Sequence, residues 1–118
     1  MRSWDLRAIE TPEGSRSPVV LHSTNDARAV LIGLAPGQAL GDHQVHENAY
    51  VVVLAGEVDV ASAGETVEAG PGTLFRFEAN ERRRVSSRGG ARILLLLAPW
   101  PGAGHYRGDD EPGSPRDV

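Results

Sequence analysis

Cysteine is absent from the chain, so no disulfide framework, thiolate metal site or cysteine nucleophile is available to it. Lysine is absent as well, and all twelve basic residues are arginine. That excludes a phosphate loop ending in Gly-Lys-Ser/Thr, and it points to coding bias more than to function, since lysine is ordinarily a common surface cation. No long hydrophobic run is present. The longest, Ile93 to Pro101, is far too short to cross a bilayer. Met1 to Glu10 intersperses Arg2, Asp5, Arg7 and Glu10 among Trp4 and Leu6 and lacks the apolar centre of a signal peptide. These absences lead to the expectation of a soluble, cytoplasmic protein with no membrane partner. A net charge of −4 argues against a nucleic-acid partner, which would favour a basic chain. Ser23, Ser62, Ser86 and Ser87 belong to no nucleophile elbow, so serine hydrolase chemistry has no support.

What is present favours strands. In 118 residues, 14 glycines and 8 prolines against an apolar fraction of 40% suit many short strands joined by tight turns. Ser17 to His22 and Ala29 to Leu34 flank the turn residues Thr24-Asn25-Asp26 and predict a hairpin. Pro36-Gly37 turns into a stretch that becomes strongly apolar from Tyr50 to Leu54. Further strands are expected at Val58 to Val60, Thr66-Val67, Leu74 to Phe77, Arg83 to Val85 and Arg92 to Ala98, with glycine or asparagine turns between them. The spacing predicts an all-β domain of about eight antiparallel strands, closed into a small barrel or flattened sandwich, with no helix beyond one or two turns.

The domain is expected to occupy residues 1–106, with its core at about 17–98. Residues 107–118, rich in proline, glycine and acid, are expected to form a disordered tail. The Arg107-Gly108-Asp109 tripeptide in that tail is taken as chance. Trp100, His105 and Tyr106 are expected to fold back over the barrel.

Two stretches carry a recognisable layout. From Gly37 the chain runs five residues to His43, two more to Val45, four more to Ala49 and then to Gly56. From Gly72 it runs through Glu78, Asn80 and Arg83 to Ser87. Over roughly residues 30–98 this resembles the bipartite signature of the cupin superfamily, whose first motif reads glycine, His-x-His, glutamate, glycine and whose second reads glycine, proline, glycine, histidine, asparagine. The resemblance implies a jelly-roll barrel, also described as a double-stranded β-helix, with motif histidines and glutamate pointing inward as metal ligands. It also implies twofold pairing, for which Trp4, Leu6 and Leu94 to Leu97 are the candidate contacts of a homodimer. Gly37, His43, Gly56 and Gly72 match the pattern. Val45, Ala49 and Arg83 stand where it has the other three metal ligands, and guanidinium has no lone pair to give. Asn80 replaces the second-motif glycine and tolerates the same left-handed turn.

Period-two geometry places His43, Val45, Glu47, Ala49, Val51 and Val53 on one face, with His46, Asn48 and Tyr50 opposite. Arg82 and Arg84 are expected in solvent and Arg83 inside, where a carboxylate should meet it, and Glu47 is the acid of matching parity. The expected site is therefore a ligand-binding interior formed by His43, Glu47 and Arg83, with walls from Val45, Phe75 and Phe77. The protein would bind a small organic molecule or act in regulation, without metal-based turnover and with no cofactor. The alternative is a mononuclear enzyme, an isomerase, decarboxylase or dioxygenase, with zinc, iron, manganese or nickel on His43, His46 and Glu47, or with His22 completing the set.

Overall fold

The structure, a computed structural model, describes residues 1–12, 18–43 and 45–101, with the backbone alone for Gly41, Asp42 and His43. The expected tail at 107–118, together with His105 and Tyr106, lies outside the described residues. Within them the chain forms nine strands and turns between them: β1 (Val19–Ser23), β2 (Arg28–Leu34), β3 (Ala39–His43), β4 (Asn48–Gly56), β5 (Val58–Ser62), β6 (Glu65–Ala69), β7 (Leu74–Phe77), β8 (Arg83–Ser86) and β9 (Ala91–Ala98). A five-stranded sheet in the order β1-β2-β9-β4-β7 faces a four-stranded sheet in the order β3-β8-β5-β6. Every pairing is antiparallel, which makes the all-β jelly-roll barrel that strand spacing and resemblance predict. No helix of the described residues is long and apolar enough to cross a membrane.

The ninth strand is β3. Sequence patterning joins it to β4, but Ala39–His43 pairs with β8 in one sheet and Asn48–Gly56 with β7 and β9 in the other. The chain therefore changes layers between the end of β3 and the start of β4. Alternation survives that crossing, with Val45, Glu47, Ala49, Val51 and Val53 buried and His46 exposed.

Between the layers lie Val30, Ile32 and Leu34 of β2, Val51 and Val53 of β4, Val58 and Val60 of β5, Val85 of β8 and Ile93, Leu95 and Leu97 of β9. These β-branched and leucine side chains are what a pleated, one-face-buried sheet accommodates best. Their full burial contributes about 1.5–3 kcal/mol each before conformational entropy is counted. Gly56 ends β4 with φ +74°, and a Cβ there would collide with the Gly90 carbonyl at the start of β9. This glycine is required by the close approach of two backbones as well as by its left-handed turn.

At the N-terminus residues 5–8 form a turn, and the segment is held against the outer face of the five-stranded sheet. Arg92, which points outward from β9, donates to the carbonyls of Leu6 (2.8 Å), Arg7 (3.4 Å) and Ile9. Thr11 stands over Gly33 of β2, where any side chain would strike its hydroxyl. Trp4 is 38% exposed, tilted against the His22 ring at 6.0 Å with Arg2 stacked on it at 5.0 Å.

Candidate functional site

Strand register brings one end of each element to the same end of the barrel. Arg28 opens β2 opposite Leu97, Ala49 near the start of β4 lies between Leu97 and Phe77, and His43 at the end of β3 faces Arg83 at the start of β8. Two cross-layer contacts close the ring. The Asn80 amide donates to the Val45 carbonyl at 2.7 Å, and the Arg83 guanidinium carbon lies 5.4 Å from the centre of the Phe77 ring. Asn80 has φ +66°, the left-handed conformation expected where the motif has glycine.

Charged groups inside such a barrel are costly to desolvate, and only three charged side chains among the described residues are buried. Arg83 retains 3% of its exposure, Arg28 3% and Glu47 1%. Alternation along β8 accounts for Arg83, since Arg82 and Arg84 face solvent on either side of it. Arg28 was not singled out in the sequence, although parity with the inward Val30, Ile32 and Leu34 is a signal that finds it. Its guanidinium lies 4.6 Å from the centre of the Trp100 ring, so Trp100 does fold back onto the barrel, where it is buried.

Burial pushes the Arg83 guanidinium below its ordinary pKa, and the negative field of Glu81 offsets part of that shift. The partner of Arg83 therefore differs from the expectation. Among the described residues no ion pair or hydrogen bond joins Arg83 to Glu47, and the carboxylate whose field reaches Arg83 is Glu81. Glu81 is itself committed elsewhere. Its Oε2 accepts from the Ser62 hydroxyl at 2.5 Å and its Oε1 from the Glu78 amide at 3.0 Å, and these bonds hold its pKa below the usual carboxylate range. Nε and Nη1 of Arg83 are buried without a hydrogen-bond partner.

Phe75 and Phe77 both point inward from β7 and stack with their centres 6.4 Å apart and planes at 14°. They line a cavity of about 170 Å³ between the free edges of the two sheets, together with Val60, Val67, Ser62 and Glu81. His46 lies outside, its Nδ1 2.9 Å from the Asn80 side-chain oxygen. His22 lies near the N-terminal segment, its Nδ1 3.3 Å from Arg2. Neither shares the interior with Glu47, and among the described residues no three histidine, aspartate or glutamate side chains gather. Ser87, in the second motif's last position, is buried and donates to the Glu57 carbonyl at 2.6 Å.

A family model of the cupin domain matches residues 30–98. The chain belongs to the cupin family. Solved structures share its fold. A cupin superfamily protein from Desulfitobacterium hafniense DCB-2 is 15% identical with a TM-score of 0.72, over 80% of this chain and 86% of that one. The EutQ protein of Clostridium difficile is 16% identical with a TM-score of 0.71, over 82% and 86%. The TT1209 protein of Thermus thermophilus is 26% identical with a TM-score of 0.72, over 84% and 98%. No curated protein matches the chain significantly.

Membership raises the question of the metal that the family's motif residues ligate. In this cupin, the interior positions matching the second motif histidine, the glutamate and the last histidine are Val45, Ala49 and Arg83, all buried. Two are hydrocarbon and the third is a cation without a lone pair. This donor set does not fit a divalent ion.

Proposed function

We propose that this cupin binds a small organic molecule in the end of its barrel, or acts in regulation, without metal-based turnover. The observation that supports the reading is Arg83, whose guanidinium is buried at an interior position where the family pattern has a ligating histidine. A fixed positive charge there opposes a divalent cation and favours an acceptor-rich ligand. His43, Glu47 and Arg83 would supply the polar contacts, and Val45, Phe75 and Phe77 the apolar walls, in the usual proportion of a small-molecule site.

The test is metal content. Protein purified without a histidine tag should hold no stoichiometric zinc, iron, nickel or manganese by plasma mass spectrometry. The double variant Val45→His with Arg83→His should gain zinc affinity, because it restores two of the histidines of the family pattern. Stoichiometric metal in the unmodified protein, lost on replacing His43, would overturn the reading in favour of a mononuclear enzyme.

A further inference from the structure

The barrel is open along one side. β6 and β7 follow each other in the chain and end their respective sheets, each with a single strand beside it, β5 for the first and β4 for the second. Side chains of the interior face are uncovered there. Val67 shares a face with its cross-strand partner Val60, yet Val67 is 40% exposed and Val60 4%. Phe75 is half-buried, whereas its partner Val51 is fully buried. Among the described residues, Glu65–Ala69 makes no backbone hydrogen bond except along β5. Its other edge is the kind of template that an extended peptide completes.

The cavity at this seam has a volume of about 170 Å³, and Val60, Val67, Phe75 and Phe77 form its apolar walls. An apolar cavity of about 150 Å³ accepts benzene, so this one takes a single large side chain. Glu65, two residues before Val67 and therefore on the same face, also lines it and is exposed. Ser62, the cross-strand partner of Glu65, donates to Glu81, and with the Glu78 amide it keeps Glu81 ionised at the same end. Arg76 is the cation of the lining, and Glu78, 2.6 Å from its Nη1, meets its charge. The β6 edge is thus apolar at Val67 and negative at Glu65. A second copy of β6 would bring two more carboxylates, Glu65 and Glu68, against this charge, whereas a basic segment complements it.

We propose that β6 accepts an extended peptide of a partner protein, added antiparallel to its free edge. A large apolar side chain of that peptide fills the cavity over Val67, and a lysine or arginine two residues later lies beside Glu65. Antiparallel pairing sets this order, because the residue opposite Val67 then precedes the one opposite Glu65. The surface lies along the side of the barrel, so it stands apart from the ligand proposed for the barrel end.

The probe is a capped heptapeptide of threonine, a good strand former, with leucine third and lysine fifth. It is titrated into the full chain and followed by NMR of backbone amides. Chemical-shift changes should be largest at Glu65–Ala69 and at Phe75 and Phe77, and amide exchange along β6 should slow. Replacing the leucine by serine should weaken binding at least about tenfold. Replacing the lysine by glutamate should weaken it about fivefold. In the variant Glu65→Lys, which alters an exposed side chain and leaves the core intact, the preference for lysine over glutamate should disappear. Equal binding of the three peptides, an unchanged preference in Glu65→Lys, or shifts centred elsewhere on the barrel would overturn the proposal. So would the lack of any response at millimolar peptide.

Discussion

Replacing Arg83 by methionine should stabilise the ligand-free protein, although it deletes a buried charged residue. Methionine keeps a flexible chain of similar length along the path of the arginine stem, so packing in the barrel is largely preserved. What is lost is the stacking of the guanidinium 5.4 Å above Phe77, about 2 kcal/mol for a desolvated pair. What is relieved is the burial of Nε and Nη1 without partners, about 1–3 kcal/mol each. Glu81 loses little, because its two oxygens already accept bonds from Ser62 and Glu78. The balance is roughly 0–4 kcal/mol in favour of the variant, centred near 2 kcal/mol. Buried ionic groups exchanged for hydrocarbon behave similarly elsewhere, with gains of about 1–4 kcal/mol. Urea denaturation followed by fluorescence is the assay. With a slope of about 1–3 kcal/mol per molar for a small domain, the midpoint should rise by about 1 M with the slope unchanged. A midpoint lowered by about 1 M or more would refute the reasoning, because it is the signature of a cation anchored in a pair that the substitution breaks.

Arg92→Ala should free the N-terminal segment from the five-stranded sheet, since one guanidinium holds the carbonyls of Leu6, Arg7 and Ile9. A stability loss of about 1–3 kcal/mol is expected, with faster hydrogen exchange confined to residues near 6–12, and unchanged exchange there would show that other contacts hold the segment. Glu81 titrates in the folded protein below its unfolded value because Ser62 and the Glu78 amide donate to the ionised form. Its contribution to stability is therefore complete above the unfolded pKa and is lost as pH falls through the folded one. Melting temperatures recorded between about pH 3 and 6 should drop less steeply for Glu81→Gln than for the parent, and parallel curves would refute the linkage. The outward side chains Tyr50, Val52, Leu94 and Leu96 adjoin Leu74, which is 61% exposed. We expect a homodimer through this face, so sedimentation should give a dimer at micromolar concentration and a monomer for Leu74→Asp with Leu94→Asp. A monomeric parent would count against it.

The strands were legible because turn residues punctuate them and because period-two burial is a property of single residues. Arg82, Arg83 and Arg84 show this, with only the middle one turned inward. Asn80 was legible for a similar local reason, as one of the few residue types that enter the left-handed region at small cost. What parity cannot specify is distance across the interior. It places Glu47 and Arg83 in one space, yet it cannot say that Glu81, three residues into a turn, lies in the field of Arg83 while Glu47 makes no ion pair with it. The separation of β3 from β4 escaped for a related reason. Both halves alternate in phase, and only pairing partners reveal that the chain changes sheets between them. Arg92 gave no signal of its role, because carbonyl recognition depends on where a distant segment lies and not on neighbouring residue types.

The position of β9 bears on how the molecule comes into being on the ribosome. This last strand is inserted between β2 and β4, and it pairs with both along nearly its whole length. Until Ala91–Ala98 has been made, β2 has only β1 beside it and β4 only β7, each with one apolar edge open, a state that lasts seconds at a synthesis rate of about 5–20 residues per second. The five-stranded layer cannot assemble progressively from its N-terminal side. It must close in one late step whose contacts span most of the chain, which is slow for topological reasons. A chain cut before Ala91 would then be an aggregation-prone intermediate with two exposed edges rather than a smaller barrel.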